Sequence, residues 1–190
     1  GIFYNIDNTQ SETDFICGIK DYGVSYCESF DWQMLGLSYN DAKYTMYLFL
    51  PEKGKKLQID DNTINALMKF QENVKVDITM PKFSTEDMYD FTDTLKEMGI
   101  RGMFENNEDF SNMYTSNNAV HITDVFQKTK IIVNEQGTEA SSGTMTATMG
   151  VDMSKPVEFK ADRPFLYMIT KNTNGKQEVL FAGKYVTAKQ

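Results

Sequence analysis

The segment Gly137-Thr138-Glu139-Ala140-Ser141-Ser142-Gly143-Thr144 constrains this chain more than any other stretch. It follows Glu135-Gln136 and, before them, the run Lys130-Ile131-Ile132-Val133-Asn134, whose β-branched side chains favour a strand. Apart from Glu139, every side chain after Gln136 is small, so the segment can leave the strand as loop or enter a sheet as strand. Gly137 lets the backbone turn where such a change would begin. Glu139 would point away from the face shared by Thr138 and Ala140, because side chains alternate along a strand.

The chain has 190 residues, 41% hydrophobic and 24% charged, which suits one ordinary domain with a sizeable core. Thirteen Phe, ten Tyr and twelve Met supply large side chains to bury. A net charge of −8 argues against a nucleic-acid partner, which calls for a basic patch. No apolar run is long enough to span a membrane, and the longest, Tyr44 to Leu50, stops at Pro51. Two cysteines, Cys17 and Cys27, are too few for a disulfide scaffold and read as free thiols, with a local disulfide as the alternative.

Periodicity yields a mixed pattern. Residues 1 to 22 read as irregular, and Trp32–Leu37 and Tyr44–Leu50 as strands around a turn at Asn40-Asp41. Asp60 or Asp61 caps a helix carrying Ile64, Leu67, Met68 and Phe70 on one face. Val74, Val76, Ile78 and Met80 alternate with polar residues as a half-buried strand closed by Pro81. A second helix is expected over Glu86–Met98, with Met88, Phe91, Leu95 and Met98 at helical spacing and Gly99 as its stop. Residues 105 to 118 read as loop. Thr123–Glu135 reads as one long strand, and Phe165–Thr170 and Glu178–Val186 as strands around the turn Asn174-Gly175. The class is α+β, with nothing to suggest two domains.

Several segments together resemble the serpins, the serine protease inhibitor family. Trp32 to Tyr39 and Tyr44 to Pro51 are similar to the family's sheet-B hairpin strands. Met80-Pro81-Lys82-Phe83 resembles the "-PKF-" segment, and Leu95-Lys96-Glu97-Met98-Gly99-Ile100 the helix end after it. Glu135 to Thr144 resembles the reactive-loop hinge, Phe159 to Tyr167 the C-terminal signature, and Phe181 to Val186 the terminal core strand. The resemblance implies a fold of mixed and antiparallel sheets A, B and C with surrounding helices. Residues 1–190 would be the C-terminal part of a single serpin domain, lacking the N-terminal helices and first strands but supplying most of sheet A. A fragment of a longer protein is the expectation, with the N-terminal half missing or separate. Three departures stand out: a short Phe15–Gly23 spacing that suggests a lost sheet-C segment, Gln127 where the family often has His, and Phe3 where a Trp is usual.

The resemblance implies a suicide-substrate inhibitor whose reactive loop spans residues 135–158. A serine protease attacks the loop, forms an acyl-enzyme, and is trapped when the cleaved loop inserts into sheet A. The hinge is Glu135, Gly137, Thr138, Glu139, Ala140, Ser141, Ser142, Gly143 and Thr144. Thr138 must be uncharged, because a charge would be buried unpaired on insertion. In the family the attacked residue usually lies sixteen positions after the hinge Glu, so the resemblance implies Val151-Asp152 as the reactive bond, suiting an elastase-like enzyme. Met153-Ser154 is the rival bond, suiting elastase-like or chymotrypsin-like enzymes, and a cut after Asp152 is the third. The Met residues of the loop also raise an oxidation switch.

No catalytic, metal or cofactor site is expected. The one histidine, His121, sits in a polar stretch without a nucleophile motif. The alternative function is that of a non-inhibitory carrier, chaperone or storage serpin, which the small hinge residues disfavour. The family default is an extracellular protein; the absence of any Asn-x-Ser/Thr sequon keeps a cytoplasmic one open.

Overall fold

The computed structural model describes residues 1–105, 110, 120–135 and 155–188. The described chain falls into two compact units, one of Gly1–Phe83 with Ile132–Gln190 and one of Ser84–Ile131.

The first unit is built on an antiparallel sheet of five strands. In spatial order these are β12 (Lys176–Tyr185), β11 (Phe165–Thr173), β6 (Tyr44–Pro51), β5 (Trp32–Ser38) and β4 (Val24–Ser29). β6 is the central strand and is buried on both faces, which is why it reads as an unbroken apolar run without alternation. On one face Cys27, Trp32, Met34, Tyr47 and Phe49 enclose Leu67 of helix α1 (Asp61–Lys69). Asp60 caps that helix, its carboxylate accepting from the Thr63 amide at 2.9 Å. Phe70, expected on the same face, lies at the C-cap and is 61% exposed, because the helix ends before its position rotates inward. The β11–β12 turn is as expected: Asn174 and Gly175 both have positive φ, 53° and 84°, as a two-residue hairpin loop requires.

Gly183 on β12 faces Tyr167 on β11. A Cβ there would lie 2.4 Å from the Tyr167 Oη and 2.5 Å from Cζ, so the side chain must be absent for the buried ring to cross it.

A second sheet in this unit has the order β10 (Val157–Lys160), β7 (Val76–Pro81), β3 (Phe15–Lys20). β7 runs parallel to β10 and antiparallel to β3. Here the structure departs from the periodicity. Residues 1 to 22 are not irregular: β1 (Ile2–Tyr4) pairs with β2 (Gln10–Glu12), and β3 pairs with β7 along its whole length. β1 and β2 are too short to show a period, and β3 is ordered by β7, a partner distant in sequence. The short Phe15–Gly23 spacing has therefore not removed the strand that flanks β7. β10 was likewise not foreseen as a strand, since four residues give no usable period.

The second unit holds most of β8 (Phe83–Asp90) and β9 (Phe126–Val133), which form a two-stranded sheet, with a short helix and a 3-10 turn. The helix expected over Glu86–Met98 is confined to α2 (Thr92–Glu97). Residues 86 to 90 are strand instead, and Met88 and Met98 are exposed, so the helical spacing did not mark a buried face. Strand pairing overrode a weak local propensity. The Asp90 carboxylate accepts from the Thr92 amide at 2.9 Å at the strand-to-helix junction. Gly99, with φ of 93°, follows the helix end as expected.

Substituting Gly183→Ala should destabilise the protein by about 1–3 kcal/mol, through the overpacking of the Tyr167 ring. Gly18→Ala, whose Cβ would meet nothing within 4 Å, should stay within about 0.5 kcal/mol of wild type. Equilibrium urea unfolding of both variants checks the pair.

Candidate functional site

The candidate site is the frame from which the Gln136–Ser154 segment departs and to which it returns. Its upstream base is Glu135, two residues beyond the end of β9. The Glu135 carboxylate pairs with the Lys82 ammonium at 2.5 Å. Both groups are well exposed, so the pair positions the backbone more than it stabilises the fold. The hydrogen bond from Lys82 holds the Glu135 carboxyl below its ordinary range, and the same bond raises the Lys82 ammonium.

Lys82 is itself held by its surroundings. Its amide donates to the Asp14 carbonyl at 2.8 Å, which makes Asp14 and Lys82 a hydrogen-bonded pair at the end of the β3–β7 ladder. Pro81, opposite Phe15, then falls at a position that needs no ladder donor. Met80 and Phe83 on either side are buried. The Phe83 ring meets Tyr185 at 4.9 Å, Tyr167 at 5.4 Å and Phe165 at 5.7 Å, and Tyr185 in turn meets Phe3 at 5.0 Å. Phe3 thus completes an aromatic cluster. The Met80-Pro81-Lys82-Phe83 segment packs inward through Met80 and Phe83 and presents Lys82 outward to Glu135.

The downstream base is β10. The Val157 amide donates to the Lys75 carbonyl at 2.9 Å, and the Ala161 amide to the Thr79 carbonyl at 2.8 Å. Phe159, Ala161 and Phe165 are fully buried. Asp162 is buried too, its carboxylate 3.3 Å from the Arg163 guanidinium and 3.6 Å from the Lys160 ammonium. Arg163 Nε donates to the Pro51 carbonyl at 2.9 Å, tying this corner to the end of β6. The Phe159–Phe165 signature therefore works as a clamp. Residues 157 and 158, within the expected loop range, are already paired in β10.

Val157 lies beside Val76 at the start of β7, and Glu135 meets Lys82 just past its end. A strand advances about 3.3 Å per residue, so these two anchor points, Val76 and Lys82, lie about 20 Å apart. The intervening residues 136 to 156 have a contour length of about 70 Å, well over the separation of the anchor points.

Of the expected site residues, the structure places Glu135. Gly137, Thr138, Glu139, Ala140, Ser141, Ser142, Gly143, Thr144, Val151, Asp152, Met153 and Ser154 lie outside the described residues. The partner of Glu135 was missed, although Lys82 lay inside a motif already singled out; no local signal joins positions so far apart in sequence. Sheet A also differs from expectation. Among the described residues the sheet that holds β9 has two strands, not most of a larger sheet, and β8 is the only neighbour of β9. Gln127 lies on β9 and is exposed, its amide 3.4 Å from the Thr129 hydroxyl. Cys17 is exposed and Cys27 buried, both as free thiols. His121 is exposed.

The family model for Serpin (serine protease inhibitor) matches residues 1–188. The chain belongs to the serpin family. Serpin B10 of Bos taurus is 34% identical to it over 193 residues, covering 96% of this chain and 47% of the relative. Native protease nexin-1 with heparin superposes with a TM-score of 0.73 at 27% identity, covering 99% of this chain and 51% of that one. Human thyroxine-binding globulin complexed with thyroxine gives 0.74 at 21% identity, over 100% of this chain and 50% of that one, a likeness of fold alone. This serpin chain spans about half the length of the relatives it matches. The mixed sheets and few helices are those of a partial serpin fold.

The Glu135–Lys82 tether yields a pH-dependent expectation. Glu135 has a lowered folded-state pKa, so its contribution is complete above the ordinary carboxylate pKa and is lost as pH falls through the lowered value. Glu135→Gln should speed amide exchange at residues 133 to 135 by about threefold or more at neutral pH. The difference from wild type should vanish in acid below the lowered pKa. Hydrogen exchange read by mass spectrometry, with the ratio taken at each pH, measures it.

Proposed function

We infer that the intact protein is a serine protease inhibitor of the suicide-substrate type, with residues 135 to 156 as its reactive loop. The observation that carries the reading is the frame: a strand ends two residues before a glutamate ion-paired to Lys82, a parallel strand begins beside Val76, and about 70 Å of chain joins them. Such a tether can offer a bond to a protease and later become a strand. Within it, Val151-Asp152 is the reactive bond, Met153-Ser154 the second choice, and an elastase-like or chymotrypsin-like protease the partner. Gly137 and Thr138 open the insertion, and Ala140 to Thr144 follow because they are small.

The second reading, a non-inhibitory carrier, is favoured by an open groove of about 610 Å³. Tyr22, Ser25, Thr45, Tyr47, Gln71 and Asn73 line it, and the Ser25 hydroxyl donates to Gln71 Oε1 at 2.6 Å. A carrier has no need of a small-residue hinge, which is why the inhibitor reading is preferred.

Mixing the intact protein with elastase-like and chymotrypsin-like proteases should give a covalent complex that survives denaturant, with the released peptide starting at Asp152. Thr138→Arg should reduce the trapped fraction about tenfold or more while cleavage continues, because insertion would bury an unpaired charge. Denaturing gels with mass spectrometry read both outcomes. Cleavage without a complex, and without a rise in melting temperature of the cut protein, would sink the inhibitor reading and favour the carrier.

A further inference from the structure

Asn5 is a buried amide side chain whose donors and acceptor are all in use. Its Nδ2 donates to the Thr9 hydroxyl at 2.9 Å and to the Ser11 hydroxyl at 2.8 Å. Its Oδ1 accepts from the Ala188 amide at 3.0 Å. Its backbone is paired as well: the Asn5 amide donates to the Thr9 carbonyl at 2.8 Å, and the Asn8 amide to the Asn5 carbonyl at 3.0 Å. All of these partners lie within the described residues. Burying an amide is costly unless it is paired, and a fully paired one fixes the geometry around it.

Two further contacts flank Asn5. The Tyr4 amide donates to the Asp162 carbonyl at 2.8 Å, and the Ile6 amide to the Val186 carbonyl at 2.9 Å. Three consecutive residues therefore receive Asp162, Ala188 and Val186, while Thr9 and Ser11 hold Asn5 from the other side. Asp162 belongs to the downstream base of the Gln136–Ser154 segment. Its neighbour Ala161 is bonded to Thr79 at the end of β7, and its neighbour Arg163 to Pro51 at the end of β6. The Tyr4 amide is thus a third attachment of that base, from an element that is neither β6 nor β7.

We propose that Asn5 is a positioning residue for the downstream base. It fastens residues 4 to 6 to Ala188, so that the Tyr4 amide holds Asp162 and, through it, β10 against β7. The functional meaning of this fastening rests on the reading of residues 135 to 156 as a reactive loop; the fastening itself is measured without it. Loss of Asn5 would loosen β10 and expose bonds that the paired strand hides, because a protease cuts folded chain only where it opens.

In the intact protein, Asn5→Leu leaves the buried Ala188 amide without its acceptor. Amide exchange at Tyr4, Val157, Ala161 and Ala188 should quicken by about tenfold or more, with β4, β5 and β6 unchanged. Tryptic cleavage of Lys160-Ala161, a bond inside the base, should quicken by a similar factor. Ala188→Pro removes the donor of the same contact and should give the same pattern. In the double variant the second change should add less than about threefold, because both changes delete one interaction. Ser11→Ala removes one of the two acceptors of Asn5 Nδ2, should give a smaller change of the same pattern, and decides the matter if Asn5→Leu does not fold. Exchange that rises equally in β4, β5 and β6 would make Asn5 a residue of general stability and overturn the proposal. So would faster exchange at Tyr4 and Ala188 with Val157, Ala161 and the Lys160 cut unchanged. Trapping of an elastase-like protease by the wild-type protein is scored in parallel: its failure sinks the inhibitor reading and leaves the exchange result standing.

Discussion

Burial of β7 is the constraint on which the rest of the candidate site depends. Val76, Ile78 and Met80 are buried, and each such side chain contributes roughly 1.5–3 kcal/mol on leaving water. That burial fixes the strand, and the strand then fixes three things at once. Its one edge holds β10, the downstream base of the loop. Its other edge holds β3. Its end delivers Lys82 outward to Glu135 and Phe83 inward to the aromatic cluster. The residues that meet Val157 and Glu135, Val76 and Lys82, are about 20 Å apart because the first starts this strand and the second follows its end.

Packing and electrostatics divide the work unequally. Asp162 is buried against the partly buried Arg163, with Lys160 exposed at the rim, and sits beside fully buried Phe159 and Phe165, so the downstream base cannot move without exposing a core. The upstream base relies on one exposed ion pair. An exposed pair is screened by solvent and salt and is easily released. A firm downstream end and a releasable upstream end are what the proposed insertion from the Glu135 side calls for.

How much was legible beforehand depended on where the ordering forces lay. The Trp32–Leu50 hairpin, the Asp60 cap and the Asn174-Gly175 turn were readable because caps, turns and alternation are local. β6 was readable from its apolar run alone. β3 and β10 were not, since a strand of four to six residues is ordered by the neighbour it meets, and β7 lies more than fifty residues away from each. Residues 86 to 90 misled for the opposite reason: Met88, Phe91 and Leu95 have helical spacing, yet pairing with β9 made the first part strand. Within the candidate site, Glu135 and Lys82 were each conspicuous, but their contact was not.

The sequence by itself indicated the family and the class and supplied the small-residue segment after Glu135 on which the proposed loop rests, because these reside in residue type and spacing. Only the tertiary structure decided that Lys82 meets Glu135, that Phe159, Ala161 and Phe165 are buried after β10 pairs with β7, and that β3 flanks β7 on the side opposite β10. Those facts follow from strand register and sheet order. Register is settled by long-range packing against β7, and no local stretch of sequence carries it.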